Sequence, residues 1–425
     1  MHQTLQEDGY LYSRGHAWRA LFLIYMLMLF DFIDRQVLSA LLPYIKVEWQ
    51  LSDTELGALV GIVNVAIALF AFPVSVLVDR WSRTKSISGM AVLWSAATVA
   101  CAFAGNFAQM LVGRFFIGTG EAGYTAGGAS LLSASFPRRL RGTVMGIANS
   151  ATMLGSVLGV VLGGAIAAKW GWRYAFGVVA IPGFVFAILI LFLRDYKNVH
   201  IAVQPHQDTQ EPGMSWQQAT RVILRSGALR AIFVGSAMQL MFTATVGNWL
   251  PSYFNRYHAL APDQAGLRTG IMLLIASVGV MAFGYLSDKL AAGKPRRRLV
   301  LMASFPLCTA LAFGAAFALP VGNMQLGLLF VGAFFMAAIL GPCFAVIHDL
   351  VHPGMTGMAI GVLILANNLL GMALGPLIGG MLSDRFELST ALLLVSAVPL
   401  TSAAAFFLAS TRYDKAIAAL TDTPH

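Results

Sequence analysis

Twelve segments of this chain run for about 20 or more mainly apolar residues, the length a helix needs to cross a bilayer. They cover roughly 18–44, 54–78, 86–105, 107–135, 142–168, 174–194, 228–256, 264–288, 297–319, 323–350, 356–382 and 388–410. Composition agrees with that reading. Of 425 residues 58% are hydrophobic and only 11% charged, against about 25% charged in an ordinary soluble domain. The expected fold is all-α and integral to a membrane. Three cysteines, Cys101, Cys308 and Cys343, lie singly in apolar runs without metal-ligand or redox spacing. They read as small apolar core residues. The first apolar segment is long and has no small-residue cleavage site after it, so it reads as a retained helix and not as a signal peptide.

The net charge of +9 would suit a nucleic-acid partner, but the placement of the basic residues argues otherwise. With both termini inside, twenty of the 28 Lys and Arg fall in inner segments. Six fall outside: Lys46, Lys169, Arg173, Arg256, Arg268 and Arg385. Arg35 and Arg114 lie within helices. The excess follows the positive-inside rule and needs no nucleic acid. It implies a multi-pass protein of a plasma membrane, a bacterial inner membrane by expectation, with both termini cytoplasmic.

One connection is long. Residues 195–227 are polar and read as a cytoplasmic linker between six-helix halves at 1–194 and 228–425. Within it, 215–226 has Trp216, Ala219, Val222 and Ile223 on one helical face, which suits a short surface helix. The halves are related. "LGSVLGVVLGG" (154–164) and "LGMALGPLIGG" (370–380) share a pattern 216 residues apart, as do Pro137 and Pro353. Asp79 and Asp288, 209 apart, each close a helix before a basic loop. Duplicated halves of six helices are a secondary-transporter design, with the site at the interface of the repeats. The glycines of the repeat suit close helix packing.

The loop "SVLVDRWSRTK" resembles the signature G-x-L-x-D-R-x-G-R-[RK] of the major facilitator superfamily, with Ser75 and Ser82 in place of its glycines. The resemblance implies a twelve-helix fold of two pseudo-symmetric bundles. It implies a cytoplasmic gate in which Asp79, Arg80 and Arg83 take part, with Asp288 in a weaker second copy. "DFIDRQVLSALLPYIK" (31–46), "GRFFIGTGEAG" (113–123) and "WGWRYAFGVVAIPG" (170–183) resemble the spinster-like branch. The organic-anion symporter branch shares D-R in the first helix and R…GEA in the fourth. Spinster-like sequences usually carry Asn where Asp31 stands, which leaves Asp31 and Asp34 both open as the titrating group.

Charge at membrane depth is expensive and marks function by default. The first segment carries Asp31, Asp34 and Arg35, and the fourth carries Arg114 and Glu121. Asp31 and Arg35 are spaced to pair along a helix. Arg114 and Glu121 share a face about 10.5 Å apart, too far to touch each other. Asp34, Glu121 and Asp31 are the candidates for proton coupling; Arg35 and Arg114 for binding an anion or holding the carboxylates. A static network bracing the first segment to the fourth is the competing reading. In the second half Gln239, Thr243, Asn248, Asn367 and Asn368 are candidate cavity hydrogen-bonders, although amides and hydroxyls also link helices structurally. His348 and Asp349, near the inner end of the tenth segment, fit a gate contact.

Gly118-x-Gly120-x-x-Gly123 spells a dinucleotide fingerprint but follows no strand, so it reads as helix packing inside the fourth segment. No phosphate loop or metalloprotease motif occurs, which argues against an ATP-driven pump or an enzyme. The expectation is a secondary transporter driven by a proton gradient, with no bound cofactor or metal. It moves an anionic amphipathic (lysolipid-like) or small organic solute, and works as a monomer. An organic-anion/proton symporter for a sugar acid or carboxylate is the alternative. A multidrug exporter fits less well, because buried arginines do not suit a cationic substrate; a receptor fits least.

Overall fold

A computed structural model describes residues 10–195, 223–291, 295–352 and 355–421, excluding the side chains of 75–80, 291, 295, 340 and 419–421. The regular structure of these residues is helical. The first half holds α1 (Arg14–Trp49), α2 (Asp53–Arg80), α3 (Arg83–Ala102), α4 (Phe107–Glu121), α5 (Tyr124–Ser135), α6 (Arg138–Trp170) and α7 (Trp172–Leu191). The second holds α8 (Gly227–Tyr257), α9 (Pro262–Ala291), α10 (Pro295–Ala318), α11 (Asn323–Met336), α12 (Leu340–Leu350) and α13 (Thr356–Ala366). A π-helical stretch, Asn367–Ala373, then leads into α14 (Leu374–Phe386), followed by α15 (Leu388–Val395) and α16 (Val398–Thr421). Ten helical stretches among the described residues are long and apolar enough to cross a membrane. The other two expected segments are α1, whose middle carries Asp31, Asp34 and Arg35, and the interrupted α4–α5.

Local sequence starts these helices. Ser13 caps α1 by accepting from the His16 N–H. Ser52 and Glu55 form a reciprocal capping box at the head of α2, at 2.8 and 3.2 Å. Asn106 accepts from the Gln109 N–H to start α4. Gln50, in the left-handed region (φ 53°), returns its N–H to the Lys46 carbonyl and ends α1.

Four expected continuous segments are interrupted. Segment 107–135 breaks between Glu121 and Tyr124, so Gly118 and Gly120 lie in α4 but Gly123 lies outside it, as the cap of α5. A Cβ on Gly120 would stand 2.8 Å from the Trp94 nitrogen of α3, and Gly123 is pressed on Val74 of α2. The backbone is thus drawn onto two neighbours where the helix lapses. Segment 323–350 breaks between Met336 and Leu340. Segment 356–382 widens into the π stretch, and segment 388–410 breaks before Pro399, which lacks the N–H that would continue it. Of the expected surface helix 215–226, only 223–226 falls within the described residues, and 223–225 is helical. Pro353 also lies outside them.

The described residues divide into two compact units. One takes 10–51, 62–195 and 259–270; the other takes 52–61, 223–258 and 271–421. Their packing repeats in register. In the first, Cβ atoms on Gly155 and Gly159 of α6 would stand 2.5 and 2.6 Å from the Leu29 and Ile33 carbonyls of α1. In the second, Gly371 and Gly375, each 216 residues on, face the Ala237 and Met241 carbonyls of α8 at 3.0 and 2.5 Å. Ala237 and Met241 are each 208 residues beyond Leu29 and Ile33. Gly164 of α6 meets the Pro262 carbonyl at the head of α9, and its counterpart Gly380 of α14 meets the Asp53 carbonyl at the head of α2. The sequence repeat is therefore a repeat of contacts. Many large apolar side chains face outward, among them Phe22, Phe72, Phe103 and Trp170. In water such a surface would be an association hazard; against lipid it is the appropriate one.

Candidate functional site

The charges of α1 and α4 meet in the first unit. Asp31, Asp34, Arg114 and Glu121 are each at most 3% exposed. Burying a charge without a partner costs several kcal/mol, roughly, so partners should be present, and they are. Arg35 Nε stands 3.4 Å from Asp31 Oδ1, the pairing its i, i+4 spacing predicts. The Arg35 Nη2 atom reaches Glu121 Oε2 at 2.9 Å, and its guanidinium lies over the Phe32 ring. Arg35 thus joins α1 to the end of α4. The Tyr124 hydroxyl donates to Asp31 Oδ2 at 2.6 Å, and the Thr98 hydroxyl of α3 donates to Asp34 Oδ2 at 2.6 Å. Asp34 Oδ1 is buried with no hydrogen-bond donor on it. Arg114 lies near enough to act electrostatically on both Asp34 and Cys101.

Exposure separates these groups. The Arg35 side chain is 18% exposed, whereas the Asp31 and Glu121 side chains are wholly buried. Of these three, Arg35 keeps some exposed side-chain surface, and the two carboxylates keep none.

The second-half candidates have other partners. Gln239 Nε2 donates to the Met336 carbonyl at 2.9 Å, and the Thr243 hydroxyl donates to the same oxygen at 2.9 Å. Met336 is where α11 breaks off, so both side chains serve a carbonyl freed from its helix. Asn248 donates to the Ala244 carbonyl one turn back in α8, and Asn368 of the π stretch donates to the Ile364 carbonyl of α13. Asn367 opens the π stretch with its Oδ1 buried and no donor on it. The Gln239 Oε1 atom is likewise buried without a donor.

Of the gate candidates, Asp288 pairs with Arg298 at 3.0 Å, and Arg298 reaches Asp349 at 3.7 Å. This links the C-terminal ends of α9 and α12 to the start of α10. His348, beside it, is exposed. Arg83 begins α3 behind the cap Ser82. Asp79 and Arg80 end α2, and their side chains lie outside the described residues.

Several polar partners escape a reading of charge alone. Besides Arg35, Tyr124 and Thr98 donate hydrogen bonds to the helix-1 carboxylates, and neither carries a charge that would draw notice. Arg298 is one of a basic run in the sequence. In the second unit Arg256 clasps Asp53 with two contacts of 2.7 Å, Ser383 also bonds Asp53, and Asp384 accepts from the Asp53 and Thr54 N–H groups at 2.7 and 2.8 Å. Only the identity of the partners, hundreds of residues away, reveals that cluster.

The chain matches the family model of the Major Facilitator Superfamily over residues 21–305 and 232–424. It is 26% identical to an MFS-type efflux pump of Mycolicibacterium smegmatis, across 94% of each chain. It is 25% identical to a hexuronate transporter of Bacillus subtilis, across 84% of this chain and 85% of that one. A crystal structure of a bacterial homologue of the human lysosomal transporter spinster, in an inward-facing, unoccupied conformation, superposes with a TM-score of 0.85. It shares 22% identity and covers 95% of this chain and 99% of its own. The spinster-like resemblance of the sequence thus has a counterpart in the fold. These are transporters and not enzymes. The chain therefore belongs to the major facilitator superfamily, as a multi-pass secondary transporter.

Proposed function

We propose that this protein couples movement of an organic anion to movement of a proton by alternating access. The observation that carries the reading is the composition of the buried group. Three carboxylates, Asp31, Asp34 and Glu121, stand with two guanidiniums, Arg35 and Arg114. Fully ionised, the set has one negative charge too many, and uncompensated charge is costly out of water. One proton neutralises it. An anion arriving at the exposed side of Arg35 competes with Asp31 and Glu121 for the guanidinium. A carboxylate that loses its cation is stabilised by taking a proton. Anion and proton therefore favour each other's binding, which is the coupling a symporter needs. Asp34 and Glu121 are the proton-binding groups, with Asp31 as the third candidate, and Arg35 and Arg114 hold the anion.

The substrate is an anionic amphipathic, lysolipid-like molecule or a small organic anion. Its apolar part would be met by uncharged residues, with Gln239, Thr243, Asn248 and Asn367 as polar candidates. The hexuronate transporter among the relatives supports the second reading, a sugar acid or carboxylate. The protein works as a monomer in a bacterial inner membrane, with both termini cytoplasmic. It needs no bound cofactor, no metal and no nucleic acid, and the proton gradient drives it. Asp79, Arg80, Arg83, Asp288, His348 and Asp349 form the cytoplasmic gate.

The test is flux into proteoliposomes, with and without an imposed pH gradient, across lysophospholipids, hexuronates and simple carboxylates. We expect gradient-driven accumulation of one anion class. Glu121→Gln or Asp34→Asn should uncouple it, and Arg35→Ala should weaken binding at least about tenfold. Flux indifferent to the gradient would sink the proton coupling. Undiminished binding in Arg35→Ala would remove its substrate role.

A further inference from the structure

The buried charges of the first unit sit on a break in the helix that carries them. α4 ends at Glu121 and α5 begins at Tyr124, so the residues that contact Arg35 and Asp31 of α1 flank the interruption. Tyr124 is 1% exposed, and its ring lies 4.8 Å from that of Trp94. Beyond it α5 leans on α1, where a Cβ on Gly128 would stand 3.2 Å from Ile24. The second repeat has the same break, between Met336 and Leu340, and Leu340 is 216 residues beyond Tyr124. It is held differently. Gln239 and Thr243, each 208 residues beyond Asp31 and Arg35, donate to the Met336 carbonyl. One break is pinned by uncharged donors on a backbone oxygen. The other is tied by a phenol donating to a carboxylate. A bond to an ionised acceptor is roughly twice as strong as a neutral one, so the first tie depends on charge and the second does not.

We propose that Tyr124 is a positioning residue of the transport site: its hydroxyl ties the α4–α5 break to Asp31, so that the charge carried by the Asp31–Arg35–Glu121 group sets how firmly α5 is held to α1. This deepens the reading of that group as proton-binding and rests on it. The groups facing the tie are known. α1 presents Asp31, Asp34 and Arg35; α3 presents Cys101 with the uncharged Thr98 and Trp94; α4 presents Arg114 and Glu121. α2 presents Val63 and Val74 to this stretch, α6 presents Gly155 and Gly159 to α1, and α7 stacks Phe186 on Phe30. Proton uptake near the tie therefore falls on Asp31, Glu121 or Asp34.

The test is amide hydrogen exchange on the full chain in lipid nanodiscs between pH 8 and pH 5, without substrate. Peptides covering 119–128 and 335–343 are compared after correction for intrinsic rates. Opening at the first break should rise about fivefold as the pH falls, the loss expected when charge assistance is withdrawn. The second break should stay flat and serves as the internal reference. Tyr124→Phe and, independently, Asp31→Asn should hold the first break at its raised level across the range. A flat first break in the wild type would overturn the proposal. So would equal responses at both breaks, or a wild-type response kept in either variant. Flux that ignores the pH gradient while the exchange response is intact would overturn proton coupling alone.

Discussion

At the scale of single residues, what a charged side chain does here depends on how much water it keeps. Asp31 and Glu121 keep none and are held by Arg35, a pair whose loss of one member leaves a buried charge behind. Glu48, at the far end of α1 and beyond the apolar segment 18–44, is 40% exposed and shows the opposite case. It accepts from the Trp172 indole at 2.6 Å and pairs with Arg173 at 2.7 Å, and that guanidinium stacks on the same indole at 4.2 Å. Partial burial pushes its carboxyl up, but the Trp172 and Arg173 hydrogen bonds and the Arg173 charge outweigh it and leave the group below the usual carboxylate range. A depressed value means stability that is present above the unfolded carboxylate's titration and lost as the pH falls through the folded one. Thermal unfolding of Glu48→Gln should therefore differ from wild type at neutral pH, and the difference should vanish in acid. A difference that persists unchanged in acid would show that the charge is not what matters.

At the scale of elements, α6 and the π stretch leading into α14 are built to lie against α1 and α8. The stripes Gly155, Gly159 and Gly371, Gly375 were visible in the sequence, and so was their purpose. Gly159→Ala places a methyl 2.6 Å from the Ile33 carbonyl and should cost about 1–3 kcal/mol by overpacking. Gly177→Ala on α7, with nothing within 4 Å, should be neutral or stabilising by up to about 1 kcal/mol. Equal unfolding temperatures for the two variants would refute the packing role. The breaks in segments 107–135 and 323–350 were not visible, because the apolar run continues through both. At Met336 another helix supplies donors where the helix lapses, since Gln239 and Thr243 both bond the Met336 carbonyl. Those donors lie about a hundred residues away in the chain.

At the scale of the whole molecule, the distribution of Lys and Arg predicts which loops face the cytoplasm. Cysteines introduced singly at Arg139 and Lys169, both exposed, should label from opposite sides of the membrane with an impermeant maleimide. Only the second should react from outside. The native Cys101 and Cys343 are buried and should stay silent. Reaction of the Arg139 position from outside would invert the topology.

Composition and pattern alone mark this chain as a helical membrane protein with duplicated halves, and single out the charges of its first and fourth segments. Hydropathy, the internal repeat and the cost of charge in lipid act on local composition, and local composition is what a sequence displays. Folding is what sets Arg35 between Asp31 and Glu121, brings Tyr124 and Thr98 onto the two aspartates, and turns Gln239 and Thr243 toward a broken helix. Asp53, Arg256, Ser383 and Asp384 likewise met only on folding. Hydrogen bonds act over about 3 Å, so residues far apart in the chain become partners only when packing brings their helices together.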